Sequence, residues 1–255
     1  MIFDSHAHYD DERFDEDREM LLDSMESRGI GYIVEVSSTY ESCRKSIEMA
    51  KRFPRVYASV GVHPNEVGSL DEEKFQAMKK LVHKPKVVAI GEIGIDYYWK
   101  EPSPEVQKYW FEKQLDLARE AELPVIIHSR DAAAETMEVL KAKHAEELGG
   151  IIHCFSYSPE MAQEYVNMGF YIGVGGVVTF KNSKKLKEVV DAISLESIVI
   201  ETDSPYLSPE PYRGKRNSSL HLPYVVSAIA EIKGVTPQEV IDITRENAKK
   251  VYRIH

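Results

Sequence analysis

Short apolar, β-branched runs alternate with longer stretches of helical period from one end of the chain to the other. Runs beginning near Ile2, Tyr32, Val56, Val87, Val125, Ile151, Tyr171 and Ile198 read as strands, and most are apolar at consecutive positions. A strand that is apolar on both faces is buried on both, which is the condition of a parallel sheet covered by helices. The segments between the runs carry helix signals. Ser103-Pro104-Glu105 opens one in which Val106, Trp110, Leu117 and Ala121 fall on roughly one face. Thr236-Pro237-Gln238-Glu239 combines a capping box with proline at the first helical position, and Ser158-Pro159-Glu160 opens another helix. Strand–helix alternation with eight strands predicts an α/β fold, the TIM (β/α)8 barrel. The chain has 255 residues, close to the about 250 of one such barrel. No linker rich in Pro, Gly or Ser divides it, so a single domain over 1–255 is expected. The irregular exception is 204–222, with Pro205, Pro209, Pro211 and Gly214; a loop of that length in a compact domain is more often functional than idle.

In a closed barrel, polar residues at the carboxyl ends of the strands share one rim. His6 and His8 close the first run, Glu92 the fourth, His128 the fifth, His153 the sixth and Asp203 the eighth. An extended chain aims residues two apart to the same side, so His6 and His8 suit one metal ion, although such a pair alone also arises as a hydrogen-bonded polar cluster. Any one of the six is also readable as a strand terminator, but ordinary terminators are Gly, Asn, Asp and Ser rather than His and Glu. Six N and O ligands exceed the needs of one four-coordinate ion, and a carboxylate bridges two ions about 3.5 to 4 Å apart. Two divalent ions are therefore expected, with Glu92, midway around the ring, as the bridge. The donor set lacks thiolate and leaves Zn, Mn, Co and Mg open. Such a pair lowers the pKa of bound water towards neutrality.

His63, in Gly61-Val62-His63-Pro64, is additional to a full ligand set and reads either as a substrate contact or as a satisfied rim histidine. Asp4 and Glu201 lie below His6 and Asp203 on the inward face. As buried carboxylates they are expected to contact ligand imidazoles, a structural ion pair being the equal alternative for Glu201. His83, His144 and His255 fall away from the rim, and His221 reads as a cap or surface residue.

Hydrophobic residues make up 43% and charged residues 29% of the chain, as in a soluble globular protein with a substantial core. Lys and Arg number 32 against 42 Asp and Glu, a net charge of -10. That balance argues against a broad basic face for long nucleic acid, so any phosphate contact must be local. Cys43 and Cys154 are the two cysteines and fit no framework or metal spacing, which points to reduced thiols, with Cys154 a packing residue. No signal sequence and no apolar run of about 18 residues is present, so a cytoplasmic protein without a membrane span is expected.

Asp4-Ser5-His6-Ala7-His8, Gly61-Val62-His63-Pro64, Gly91-Glu92-Ile93-Gly94-Ile95-Asp96-Tyr97-Tyr98, His128-Ser129-Arg130-Asp131, His153-Cys154-Phe155 and Glu201-Thr202-Asp203-Ser204-Pro205-Tyr206-Leu207 together resemble the ordered signature of the TatD family of metal-dependent hydrolases. The resemblance runs the length of the chain. It implies a TIM barrel with a two-metal centre and hydrolase activity, reported for the family chiefly as magnesium-dependent and often exonucleolytic hydrolysis of DNA. It further implies that His6, His8, Glu92 and Asp203 hold one ion and Glu92, His128 and His153 the other, with Asp203 also the acid/base group near the nucleophilic water. Phosphotriesterase-like relatives place a modified lysine where this chain has Glu92. Arg213-Gly214-Lys215-Arg216-Asn217 is also similar to the family, whereas Ser218-Ser219-Leu220-His221-Leu222-Pro223 departs from the Glu-Pro or Gln-Pro of many members, which bears on substrate preference.

The cations available for flanking phosphates are Arg130, Lys181, Arg213, Lys215 and Arg216, each equally readable as a solvated loop charge. Tyr97, Tyr98 and Trp99 offer rings for stacking a base or sugar, or pack their own loop. The leading expectation is a metal-dependent deoxyribonuclease acting on single-stranded DNA as substrate, with Mg, Mn or Zn as the ions, no obligate protein partner and a monomeric chain. The alternatives are an ester or amide hydrolase on the same two-metal barrel, such as a D-aminoacyl-tRNA deacylase, and a non-catalytic barrel stabilised by its metals.

Overall fold

A computed structural model describes residues 1–255. Its strands are β1 (Ile2–Ala7), β2 (Ile30–Glu35), β3 (Val56–Val60), β4 (Val87–Asp96), β5 (Val125–Arg130), β6 (Gly150–Ile152), β7 (Phe170–Val174) and β8 (Ile198–Ile200), one parallel sheet in chain order. The sheet returns on itself. Ala7 bridges Ser204, the His8 N–H donates to the Ser204 carbonyl at 2.8 Å, and the Asp203 N–H donates to the His6 carbonyl at 2.9 Å. This is the eight-stranded α/β barrel expected from the alternation of apolar runs. The helices are α1 (Arg18–Ser24), α2 (Tyr40–Arg52), α3 (Glu72–Lys79), α4 (Pro104–Ala121), α5 (Ala133–Ala142), α6 (Pro159–Asn167), α7 (Lys184–Ala192), α8 (Leu222–Lys233) and α9 (Pro237–Tyr252). At the start of α9 the Glu239 N–H donates to Thr236 Oγ1 and the Thr236 N–H to Glu239 Oε2, the reciprocal box that satisfies two otherwise orphaned donors. Ser103 makes no such bond at the start of α4; its hydroxyl donates to Glu105 instead. Val106, in the first turn of α4, is exposed rather than on the buried face with Trp110 and Leu117.

The chain packs as two compact units, residues 1–35 with 154–255, and residues 36–153. In the first, α9 is tied to the strands by polar as well as apolar contacts. Phe3 stacks between Tyr32 and Tyr252, with centroids at 5.2 and 6.1 Å. The buried Asn247 amide donates to the carbonyls of Leu195 and Ile198, and the Tyr252 hydroxyl to that of Ser5. The Asn247 bonds satisfy carbonyls at the start of the short strand β8 and just before it, and the Tyr252 bond satisfies one in β1.

In the second unit, two buried glutamines of α4 read the carboxyl ends of two strands. Gln107 accepts from the Asp96 N–H at 2.8 Å and donates to the Asp96 carbonyl at 2.9 Å. Gln114 makes the same pair of bonds to Val62, at 2.8 and 3.1 Å. Each closes a two-bond ring with the backbone, so α4 fixes the height of Asp96 and of His63, the neighbour of Val62. Trp110, Phe111 and Leu115 bury the same helix face.

Gly94 is the closest approach in the sheet. It has φ +148°, and a Cβ there would lie 1.9 Å from the His128 carbonyl oxygen, whereas Gly29 (φ +89°) has nothing within 4 Å. Gly94→Ala is expected to cost about 2–4 kcal/mol and Gly29→Ala about 1 kcal/mol, because only the first adds a backbone clash to the strain of a left-handed residue. Urea unfolding of both variants checks this; equal midpoints would show that β4 yields at Gly94.

Candidate metal centre

In the first unit, β1 and the segment after β8 bring three ligand atoms together. His6 Nε2 and His8 Nε2 are 3.0 Å apart, their rings edge to face at 73°. Asp203 Oδ1 is 3.3 Å from His8 Nε2 and 3.8 Å from His6 Nε2. Bonds of about 2.0–2.1 Å to a common ion put neighbouring ligands about 2.9 Å apart in an octahedron and about 3.3 Å apart in a tetrahedron. Two of the three separations fall within about 0.1 Å of those values and the third, His6 to Asp203, is about 0.5 Å longer, so the triad is close to the geometry of a single small divalent ion. His6 and His8 are buried, and Asp203 keeps its side chain 19% exposed. Asp203 sits at φ 52°, a left-handed backbone that Asp tolerates better than most residues and that is held by its N–H bond to His6.

Buried polar groups fix this triad from behind. Asp4 accepts from the N–H groups of His6 and Thr202 at 3.3 and 3.0 Å, and from the hydroxyls of Thr202 and Ser219 at 2.7 and 2.6 Å. It therefore acts on His6 through the backbone, not through the imidazole. Burial raises its carboxyl pKa to about 7 against the lowering effect of those four donors. Tyr9 extends the network: its hydroxyl lies 2.8 Å from Ser219 Oγ and accepts from the Ser219 N–H at 2.8 Å. Glu35, at the end of β2, accepts from the N–H groups of Tyr9 and Asp10 at 2.8 and 2.9 Å and so clamps the turn that follows His8. Burial, then the charge of Asp10, holds the Glu35 carboxyl well above its ordinary value, partly offset by those donors and by His8. Glu201 Oε1 accepts from the Cys154 N–H at 2.6 Å.

In the second unit, Glu92 Oε1 is the focus. His128 Nδ1 lies at 2.7 Å, His153 Nε2 at 2.9 Å and His63 Nε2 at 3.7 Å. The sequence pattern ends the fourth strand at Glu92, but β4 continues to Asp96. A register shift between Ile90 and Ile93 falls at Glu92, and such irregularities re-aim a side chain at functional sites. Asp96, four residues on, accepts at Oδ2 from His128 Nε2, 3.1 Å away. That bond turns Nδ1 of His128 towards Glu92, the carboxylate–histidine arrangement that orients metal-ligating imidazoles. Asp96 carries no role in the sequence reading; its signal is the even spacing from Glu92 along one strand. His63 differs from the other two histidines. The Asn65 N–H donates to His63 Nδ1 at 3.1 Å, so in the neutral ring Nε2 carries the hydrogen and points a donor, not a lone pair, at the cluster.

The remaining substrate-binding candidates sort by their partners. Arg130 is exposed, with its guanidinium 3.7 Å from the Tyr98 ring centroid. Tyr97 is half-buried and its hydroxyl points inward, whereas Tyr98 and Trp99 face solvent. Arg213 lies over Phe180 at 4.3 Å, and Lys215 Nζ is 5.9 Å from the Tyr212 ring. Lys181 is exposed. Arg216, in contrast, is committed to a two-bond ion pair with Asp17 at 2.8 and 2.6 Å and to the Arg13 carbonyl, so it is not available to a phosphate. His221 stacks on Tyr212 at 4.4 Å and bonds Asn217 Oδ1. No helix is long and apolar enough to cross a membrane.

Residues 3–253 match the model of the family described as TatD related DNase. The chain is 43% identical over 255 residues to a Bacillus subtilis protein named as the uncharacterized metal-dependent hydrolase YabD, with all of both chains covered. It is 31% identical to the 3'-5' ssDNA/RNA exonuclease TatD of Citrobacter rodentium, covering 99% of this chain and 98% of that one. The crystal structure of the TatD homologue YJJV from Escherichia coli superposes with a TM-score of 0.94 at 28% identity, covering 100% and 98% of the two chains.

Burial lowers the His128 pKa, but the hydrogen bonds to Asp96 and Glu92 outweigh it and raise the ring above 6.5; the same His128 contacts overcome burial and hold the Asp96 carboxyl low. In the metal-free protein the His128 proton therefore stabilises the fold fully below pH 6.5, and that contribution fades as pH rises through the higher folded-state value. An ion at Nδ1 must displace this proton. Near neutral pH, divalent-ion uptake is expected to release protons, with affinity falling by up to about tenfold per pH unit as the solution is acidified. Calorimetric titration in buffers of different ionisation enthalpy reads the release; identical heats in all buffers would refute it. Asp96→Ala is expected to weaken this uptake by about 10–100-fold.

Proposed function

Because the chain belongs to the TatD family of metal-dependent hydrolases, we propose that it hydrolyses phosphodiester bonds of single-stranded DNA, removing nucleotides from an end. One divalent ion would be held by His6, His8 and Asp203 and a second by Glu92, His128 and His153, with magnesium, manganese or zinc all suited to the donor set. The observation that supports this best is ligand spacing. His6, His8 and Asp203 converge to separations that suit a shared cation, and Glu92 Oε1 draws His128 Nδ1 and His153 Nε2 to 2.7 and 2.9 Å, with His63 Nε2 at 3.7 Å and Asp96 behind His128 as an orienting acceptor. When bound, the ions supply Lewis acidity and bring the pKa of water down towards neutrality. The named exonuclease relative favours a nucleic-acid substrate over other esters.

The side chains divide the remaining work. Asp203, the most exposed ligand of its triad, takes a proton from the attacking water and returns it to the leaving oxygen. His63 presents its Nε2–H to a non-bridging phosphate oxygen, where charge builds as the bond breaks. Asp96 keeps His128 in one tautomer and one orientation throughout. Arg130, Arg213 and Lys215 take flanking phosphates by local contact, in keeping with a net charge of -10 that argues against a broad basic face.

Nucleotide release from single-stranded DNA of either polarity should be lost on chelation and restored by a divalent ion. Absence of release by the metal-loaded protein, with turnover of an aminoacyl ester in parallel, would move the reading to carbonyl chemistry. Asp203→Asn is expected to fold, to retain much of the ion binding and to lower turnover by about 10²–10⁴-fold. Unchanged turnover in that variant would remove Asp203 from proton transfer.

A further inference from the structure

Beside the Glu92 cluster, the loop after β4 exposes two large rings. Tyr98 is 54% and Trp99 55% exposed, and they meet edge to face with centroids 5.0 Å apart at 87°. Solvated indole and phenol rings side by side are costly in a protein that buries Trp110, its other tryptophan, to 7%. The pair is also held in place. The Tyr98 N–H donates to Asp96 Oδ1 at 2.9 Å, while Asp96 Oδ2 takes His128 Nε2 at 3.1 Å, so one carboxylate joins the aromatic loop to the imidazole of the ligand cluster.

Arg130 completes the arrangement. It pairs with Asp96 across β4 and β5 and stands two residues beyond His128 on the same strand, hence on the same side. Its guanidinium covers one face of Tyr98 and makes no carboxylate pair, unlike Arg13, Arg18, Arg119, Arg216 and Arg245. A guanidinium over a ring face, uncommitted to a carboxylate, has N–H groups available to fork onto a phosphate.

We propose that Trp99, braced by Tyr98, stacks the base of the nucleotide flanking the scissile phosphodiester while Arg130 grips that nucleotide's phosphate. A base reaches the indole face only when it is unpaired, so this subsite selects single strands without reading their sequence, because every base offers a π face. Tyr98, shielded by Arg130, is a positioning residue for the indole. The inference rests on the phosphodiesterase reading above but has its own readout.

Trp99 is the exposed one of two tryptophans, so its emission reports the subsite directly. Metal-loaded protein is mixed in a stopped-flow instrument with a thymidine octanucleotide, and with an octamer of the same backbone made of abasic residues. Emission should be quenched before turnover by the first and not by the second. Trp99→Leu should raise KM about tenfold with kcat little changed, and Trp99→Phe should recover most of the loss. Unchanged emission while the octanucleotide is cleaved overturns the stacking subsite and leaves the nuclease reading standing. Quenching without nucleotide release supports the subsite and overturns the nuclease reading. Neither quenching nor release overturns both.

Discussion

Imidazole nitrogens and carboxylate oxygens crowded together in a buried site need protons or a metal cation between them. His6 and His8 aim their Nε2 atoms at each other at 3.0 Å, with the Asp203 carboxylate against both, and Glu92 gathers His128 and His153 within 2.9 Å of one oxygen. Taking such groups out of water is unfavourable by several kcal/mol unless charge is compensated. In the metal-free protein a proton on His128 answers part of that demand, shared between Glu92 and Asp96. A divalent ion in each cluster, as proposed, would answer it more fully, and that requirement accounts for how heavily the surrounding structure is engaged in orientation.

The scaffold transmits position to the ligands mainly through backbone atoms. Asp4, Thr202 and Ser219 hold the chain on either side of His6 and Asp203 rather than touching the imidazole of His6. Glu35 does the same for the turn after His8, and Gln107 and Gln114 for Asp96 and Val62. Bonds to backbone groups set where a Cα sits whatever the side chain then binds, so the ligand geometry is preorganised and little ordering entropy is left to oppose ion binding. The left-handed Asp203 is tolerable only inside such a frame.

The strands were legible because parallel strands buried on both faces need consecutive apolar residues, and all eight start within two residues of the runs that announce them. The candidate ligand residues stood out because His and Glu are unusual strand ends. Asp96 was not, since Gly91-Glu92 has the look of a terminus and the continuation of β4 is set by pairing with β5 and by Gln107. Nor was Glu35 distinguishable from an ordinary polar strand end, because its partners are main-chain N–H groups with no sequence signature. Cations are the hardest to sort. Arg130 and Arg216 look alike in sequence, yet one stacks on Tyr98 and the other is spent on Asp17, 199 positions away.

The two histidine–carboxylate clusters are proposed above as separate seats for divalent ions. Elemental analysis of protein loaded with manganese and desalted, for the wild type, His8→Ala and His153→Ala, tests that proposal most directly. About two ions per chain are expected in the wild type and about one in each variant. Fewer than one in the wild type, or a stoichiometry that neither substitution changes, would contradict it.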